Sequence, residues 1–321
     1  MVNKFNNKNT QNKIRIRKSS FITDIKKNSV YLIMLAPVII YFLIFHFLPM
    51  AGLVLAFKKY NTAGGFFGSP WVGFDNFKFL FLSGAITRVA LNTIFYNIIF
   101  FAVCHSISIA IAIILNELRS KIMKKVFHSF MFLPFFVSFV VVGAIVYNFL
   151  NYEFGLVNTI IKSFGQEPVN VYGWPAIWWF ILPCLNTWKW IGYTSIIYLA
   201  GTASIDPQLY EAAKIDGANI WLRIKAITLP ALKPLVITIM LFQLGSILKG
   251  QFELFYNVIG NNGQLFNATD VIDTYVFRML VFNFDIGMGS AAGLFQSVFG
   301  FILIFTANYL VKKYRKDYAL F

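Results

Sequence analysis

Residues 28–57 read NSVYLIMLAPVIIYFLIFHFLPMAGLVLAF, a run without one Asp, Glu, Lys or Arg. Crossing a hydrocarbon core about 30 Å thick takes roughly 20 apolar helical residues, so this run predicts a membrane span. A basic tail precedes it (Lys4, Lys8, Lys13, Arg15, Arg17, Lys18, Lys26, Lys27), as in secretory signals. The run is about twice the usual 7 to 15 residues of a signal's apolar region and ends without a small-x-small cleavage site, which reads as an uncleaved membrane anchor.

Five further runs of comparable length lie outward from it, at about 90 to 115, 126 to 150, 174 to 202, 231 to 250 and 289 to 311. Together they predict an all-α, polytopic protein with six transmembrane helices. Its parts are a tail at 1–28, a membrane domain at 29–311 that includes a loop at 204–233, and a tail at 312–321. Composition agrees: 58% of the 321 residues are hydrophobic and only 13% charged, against about 25% charged in soluble domains. No duplication of the hydropathy pattern supports inverted repeats. The remaining loops, 58–89, 151–173 and 251–288, are too short to fold as separate domains, which leaves any soluble activity to other subunits.

Charge placement sets the orientation. The tail before Asn28, the loop 116–125, the segment 204–233 and the C-terminal tail together hold a net +14 of the chain's +15. Six spans put these four segments on one side, and the positive-inside rule makes that side the cytoplasm, with both termini there. The expected location is a bacterial cell membrane, spanned several times. The basic excess is thereby assigned to orientation and anionic lipid rather than to nucleic acid. Two cysteines and three scattered histidines (His46, His105, His128) propose no disulfide framework and no metal site, and the histidines read as packing or interface residues.

The segment at 205–230 carries more information: IDPQLYEAAKIDGANIWLRIKAITLP. Asp206 can cap a helix that has Pro207 at its first position, and Gly217 can take the left-handed turn that ends it. Ile220, Ile224 and Ile227 form a stripe on a second helix, beside Trp221, which Leu229-Pro230 should terminate. By itself this reads as an amphipathic connector at the membrane surface. Its spacing, however, resembles the EAA loop of binding-protein-dependent ABC importer permeases: Glu211-Ala212-Ala213, then Gly217, then Ile227-x-Leu229-Pro230. Asp216-Gly217-Ala218 is similar to the sugar-importing branch. The likeness runs over about residues 30–315, taking in Trp71-Val-Gly-Phe-Asp-Asn-Phe77 and Gly155-Leu-Val-Asn158. The stretch Asp270-Val-Ile-Asp-Thr-Tyr-Val-Phe-Arg278 is similar to permeases of complex-oligosaccharide importers, among them those for pectin fragments and alginate.

This resemblance implies a type I ABC importer permease fold whose loop is a coupling helix docking on an ATPase subunit. Glu211 would meet a basic group there, Ala212 and Ala213 would allow the fit, and Gly217 would set the bend. Asp216 could cap the second helix or reach the ATPase. The implied partners are a second, homologous permease, two ATPase subunits, an extracellular solute-binding protein and a sugar. A lysine- and asparagine-rich tail hints at a Gram-positive host, where the binding protein would be a lipoprotein. None of the 21 glycines is followed by Lys, so the chain has no phosphate-binding P-loop. It is expected to bind no cofactor, with ATP and Mg held by the partner ATPase, and to be a translocation subunit rather than an enzyme.

The expected substrate path starts from polar residues within the spans. Lys189 falls near the middle of the fourth, where an ionisable group costs about 2.5–3.5 kcal/mol to insert. Asn186, Lys189 and Tyr193 share one helix face, flanked by Trp188 and Trp190, and such groups suit sugar hydroxyls, sugar C–H faces or a uronate carboxylate. The same stripe could instead hold helix four to its neighbours. Gln243 and Ser246 on span five, with Lys249, Gln251 and Glu253 near its outer end, and Gln296 on span six could line the path, although a Gln also clamps helices. Gly289 and Gly293 form G-x-x-x-G, a helix-packing pattern. Trp174, Trp178 and Trp179 read as an aromatic belt. The expected cargo is an oligosaccharide, and Lys189 is compatible with an acidic plant cell-wall fragment. Import of a non-sugar solute by the same architecture, and an ATP-independent transporter or scaffold, are the alternatives.

Overall fold

A computed structural model describes residues 28–118 and 120–314, Tyr314 by its backbone alone. The basic tail before Asn28, Arg119 and the charges beyond Tyr314 lie outside the described residues. The chain forms two compact units, one ending at Gly52 and one beginning at Leu53.

The first unit is a single apolar helix, α1 (Ser29–Phe42), prolonged by a π-turn at Leu43–Phe47 and a turn at Leu48–Met50. None of these residues is buried, as suits a helix whose apolar surround would be lipid or another subunit.

The second unit is also helical. Its elements are α2 (Asp75–Leu82), α3 (Ala85–Glu117), α4 (Lys121–Phe132), α5 (Phe139–Leu150), α6 (Leu156–Ser163), α7 (Trp178–Ala203) and α8 (Pro207–Ile215). They are followed by α9 (Ile220–Leu244), α10 (Phe252–Ile259), α11 (Ile272–Val281) and α12 (Ile286–Tyr314). Extended pairing among the described residues is limited to one bridge, Lys58 with Trp71.

Helices α3 and α7 form the central pair. Toward one end of the pair Tyr96 and Phe100 on α3 pack with Trp178 and Leu182 on α7 and with Leu254, Phe255 and Val258 on α10. Toward the other end Ala112, Tyr198 and Leu232 join α3, α7 and α9. A third cluster, with Ile86, Val89, Ile272, Tyr275, Met288 and Ala292, ties α3 to α11 and α12.

Among the described residues four helices are long and apolar enough to cross a membrane: Ser29–Phe57, Ala85–Glu117, Ile220–Leu244 and Ile286–Lys313. The six-run reading is modified at two places. The third run is no continuous helix: α4 and a short 3-10 turn (Leu133–Phe136) meet α5 at 91°, and together they supply at most one further span. Pro134 lies in that turn, and the Ser138 hydroxyl accepts the Val141 N–H at 3.3 Å, so α5 starts as a newly capped helix. The fourth run forms α7, 26 residues long, but its polar side chains keep it below the apolarity of the other four. Asn186, Thr187, Lys189, Thr194, Ser195 and Thr202 are all buried within the protein, which is how α7 accommodates them.

A third departure concerns Pro230, which does not end the second loop helix. The chain runs from Ile220–Arg223 through a π-turn at Ile224–Thr228 into Leu229–Leu244 without interruption. Proline removes one N–H and crowds the preceding turn, and widening that turn to π relieves both without breaking the rod. The second half of the EAA pattern, Ile227-x-Leu229-Pro230, is therefore the foot of a membrane helix, while Glu211-Ala212-Ala213 lies on the separate helix α8.

Candidate functional site

Two features of the second unit carry functional geometry: the loop between α7 and α9, and a cavity between α3, α7 and α9.

In the loop, Asp206 accepts the Gln208 N–H at 2.9 Å, capping α8 ahead of Pro207. At the other end Gly217 adopts φ 78°. There the Gly217 N–H donates to the Lys214 carbonyl at 3.1 Å and the Ala218 N–H to the Ala213 carbonyl at 2.9 Å. This is a Schellman stop, which needs a left-handed residue and so favours glycine. Asn219, not Asp216, caps the next helix, accepting the Leu222 N–H at 2.8 Å. That removes one of the two roles open to Asp216, which ends α8 with its side chain exposed. Glu211, Ala212 and Gly217 are exposed and Ala213 is half-buried. The Tyr210 hydroxyl and Thr228 Oγ1 lie 2.9 Å apart and lock α8 to the foot of α9. Around this rigid elbow Leu209, Ile215, Trp221 and Leu222 present large apolar faces outward, Ile215 at 87% and Trp221 at 76% exposure. The elbow is thus a short helix capped at both ends, pinned to a membrane helix and leaving an apolar face uncovered.

The cavity has a volume of about 460 Å³. Of the residues expected on the path, Asn186, Trp190, Tyr193, Gln243 and Ser246 line it. Helix α3, which the sequence did not single out, contributes Asn97, Phe101 and His105, and Lys249 and Gln251 stand at the end of α9. His105 bridges three helices: its Nδ1 lies 2.7 Å from the Tyr198 hydroxyl and its Nε2 3.0 Å from Gln243 Nε2. Gln243 thus both lines the cavity and clamps α9 to α3. Asn97 donates to the Ile247 and Lys249 carbonyls at 2.9 and 3.1 Å, fixing the turn that carries Ser246. Three buried polar atoms of lining residues have no hydrogen-bond partner: Asn186 Oδ1, Trp190 Nε1 and Gln251 Oε1.

The other expected path residues lie elsewhere. Lys189 is buried and points away from the cavity, donating to the carbonyls of Pro134 at 3.5 Å, Phe135 at 3.1 Å and Val137, with its ammonium 4.7 Å from the Phe139 ring centre. Trp188 is exposed on another face of α7. Gln296 donates to the Leu248 carbonyl at 2.6 Å and to Asp273 at 2.8 Å, tying α12 to α11. Of the glycine pair, Gly289 lies against the Leu280 side chain within the same chain, whereas Gly293 faces open space.

The motifs outside the loop are frame. Asp270 is buried and takes two hydrogen bonds from Arg278 and one from Thr274. The Asn92 amide donates to the backbone carbonyls of Asn267 and Asp270, so this network fastens α11 to α3. Buried Asn158 donates to the Asn151, Tyr152 and Val169 carbonyls and accepts from the Val169 N–H. Asn76 holds the Ala56 and Lys58 carbonyls.

Comparison with known proteins agrees with this geometry. Residues 108–316 match the family described as binding-protein-dependent transport system inner membrane component. Two Bacillus subtilis proteins are each 34% identical: Protein LplB over 93% of both chains, and the polygalacturonan/rhamnogalacturonan transport system permease protein YteP over 94% of this chain and 93% of its own. Among solved structures, a bacterial ABC transporter involved in import of the acidic polysaccharide alginate superposes with a TM-score of 0.81 at 34% identity, covering 90% of this chain and 97% of that one. The same kind of transporter in complex with an alginate pentasaccharide-bound periplasmic protein gives 0.81 at 33% identity, over 93% and 99%. With its apolar helices and these relatives, the chain belongs to the binding-protein-dependent transport system inner membrane component family, as a multi-pass permease, a translocation subunit rather than an enzyme.

Proposed function

We propose that this permease imports an acidic oligosaccharide, such as a fragment of plant cell-wall pectin. The observation that carries the reading is the cavity itself. The polar side chains on its wall, Asn97, Asn186, Gln243, Ser246 and Gln251, suit a ligand rich in hydroxyls. Beside them the Phe101 and Tyr193 rings offer flat faces to sugar C–H surfaces. Lys249, exposed on the cavity wall, supplies the cation that a uronate carboxylate would seek. Similarity to permeases whose own cargo is polygalacturonan or alginate supports the same chemistry.

In this proposal the chain pairs with a second permease and two ATPase subunits, which hold ATP and Mg, and receives sugar from an extracellular binding protein. Both termini lie in the cytoplasm. Glu211, Ala212, Ala213, Asp216 and Gly217 form the ATPase contact; Asn186, Trp190, Tyr193, Gln243 and Ser246 face the sugar. The test is purification of tagged protein in mild detergent with identification of companions, beside Glu211→Lys, together with uptake of labelled oligogalacturonates and of neutral oligosaccharides. The expected result is a second permease and an ATPase, the ATPase lost in the variant, with uptake of the acidic sugar preferred. A lone chain under conditions that preserve comparable complexes would overturn the assembly, and equal uptake of neutral sugars would overturn the substrate class.

A further inference from the structure

A second cleft, of about 610 Å³, opens between α5, α10 and the loops that follow them, within the about 300–1,000 Å³ of small-molecule sites. It lies at the end of the bundle that the charge distribution assigns to the outside. Five asparagines and three tyrosines line it, and no charged residue does. Its walls are held from behind. Asn158 anchors the backbone of Asn151 and Tyr152. The Tyr172 hydroxyl donates to the Val258 carbonyl at 3.1 Å, and Asn262 donates to the Tyr172 carbonyl at 3.0 Å. Burial pushes the Tyr172 phenol up to about 12, which keeps that proton in place. Gly143 lets α10 lie against α5, since a Cβ there would collide with the Asn257 carbonyl oxygen. The Tyr147 and Tyr152 rings remain about half exposed.

We infer that this cleft is an outer sugar subsite, distinct from the membrane cavity, that takes the hydroxyl and C–H face of one end of the oligosaccharide and leaves its carboxylates in water. Amides give paired donors and acceptors suited to vicinal hydroxyls, and tyrosine rings stack on C–H faces. A carboxylate would find no cation here, so its desolvation would go uncompensated. The membrane cavity, with Lys249 on its wall, offers the complementary preference. The inference rests on the proposal that the cargo is a sugar, and the two fail separately.

The experiment uses the transporter assembled with its partner permease and ATPase subunits in lipid nanodiscs, without binding protein. Its probes are trigalacturonate and the fully methyl-esterified, uncharged trimer, with binding read by saturation-transfer NMR. Wild type should bind both. Tyr152→Ala, which removes an exposed ring, should weaken both about tenfold. Asn261→Asp, which places a carboxylate in the cleft, should weaken the charged trimer about fivefold more than the ester. Unchanged binding of both probes by Tyr152→Ala, or no binding by wild type, overturns the subsite. Uptake of trigalacturonate by cells is measured alongside: its absence with this binding pattern intact sinks the acidic-cargo proposal and supports the subsite.

Discussion

The Lys189 ammonium donates to the Phe135 carbonyl at 3.1 Å, and the same nitrogen reaches the Pro134 and Val137 carbonyls. An ammonium has three protons, and the sharp break between α4 and α5 leaves carbonyls without helical partners. The lysine satisfies that break at a depth where water is scarce, so its charge costs less than its burial alone suggests. Lys189→Met keeps the stem and deletes the donors. Each acceptor left buried costs about 1–3 kcal/mol, so the purified variant should unfold at a clearly lower temperature. A lysine that served only the substrate would instead raise the KM for uptake while leaving the melting temperature unchanged.

At the coupling elbow, stability and function should separate. Gly217 sits at φ 78°, a conformation that costs a β-branched residue about 1–2 kcal/mol and Asn considerably less. Gly217→Val should open the Schellman stop, lowering uptake severalfold while insertion and expression persist, and Gly217→Asn should retain most of it. Uptake rates normalised to membrane protein level test this ordering. Equal loss in both variants would mean that glycine is needed for close approach of a partner surface rather than for its backbone.

Local punctuation was legible in the sequence because it depends on neighbouring residues alone. Asp206, Pro207 and Gly217 cap, open and close α8 where their chemistry places them. What hydropathy could not resolve was any feature in which apolar sequence changes direction. The break at Leu133–Phe136 is as apolar as the helices beside it, although Pro134 and Ser138 were available as signals. Pro230 misled in the opposite sense, since a π-turn absorbs it. The cavity was half visible: Asn186, Trp190, Tyr193, Gln243 and Ser246 are polar or amphipathic residues within apolar runs. Which way Lys189 and Gln296 turn, and that His105 joins Gln243 to Tyr198, are matters of tertiary neighbours that spacing along one helix does not contain.

The Asp270–Arg278 pair is the strongest electrostatic contact among the described residues. Its carboxylate is buried, and the Arg278 guanidinium also stacks 4.0 Å from the Phe266 ring centre. Asp270→Asn would leave Arg278, 13% exposed, without its counter-charge, a loss below the about 3–5 kcal/mol of a fully buried pair, seen as a fall in melting temperature. Arg88, 3.9 Å from the same carboxylate and 42% exposed, should contribute little: Arg88→Ala is expected to cost less than about 1 kcal/mol. Adding Arg278→Met to Asp270→Asn should recover part of the loss, because the stranded charge is then gone.

Asp273, in the first turn of α11, has the opposite character. One oxygen accepts from Gln296 at 2.8 Å, but Oδ2 has no hydrogen bond of ordinary geometry, the backbone of Gly250 offering weak compensation. Burial therefore pushes its carboxyl up, against the lesser opposing pull of Gln296, Gly250 and Lys249. In the window above the unfolded value of about 3.9, the folded chain holds a proton that the unfolded chain has lost. This group's contribution to stability falls as pH rises through the raised folded value, and the penalty is complete above it. Asp273→Asn keeps an oxygen for Gln296 and removes the ionisation. Its melting temperature should match wild type near pH 4 and exceed it by a growing margin toward pH 8. A margin independent of pH would show that the aspartate is not ionising against its surroundings there.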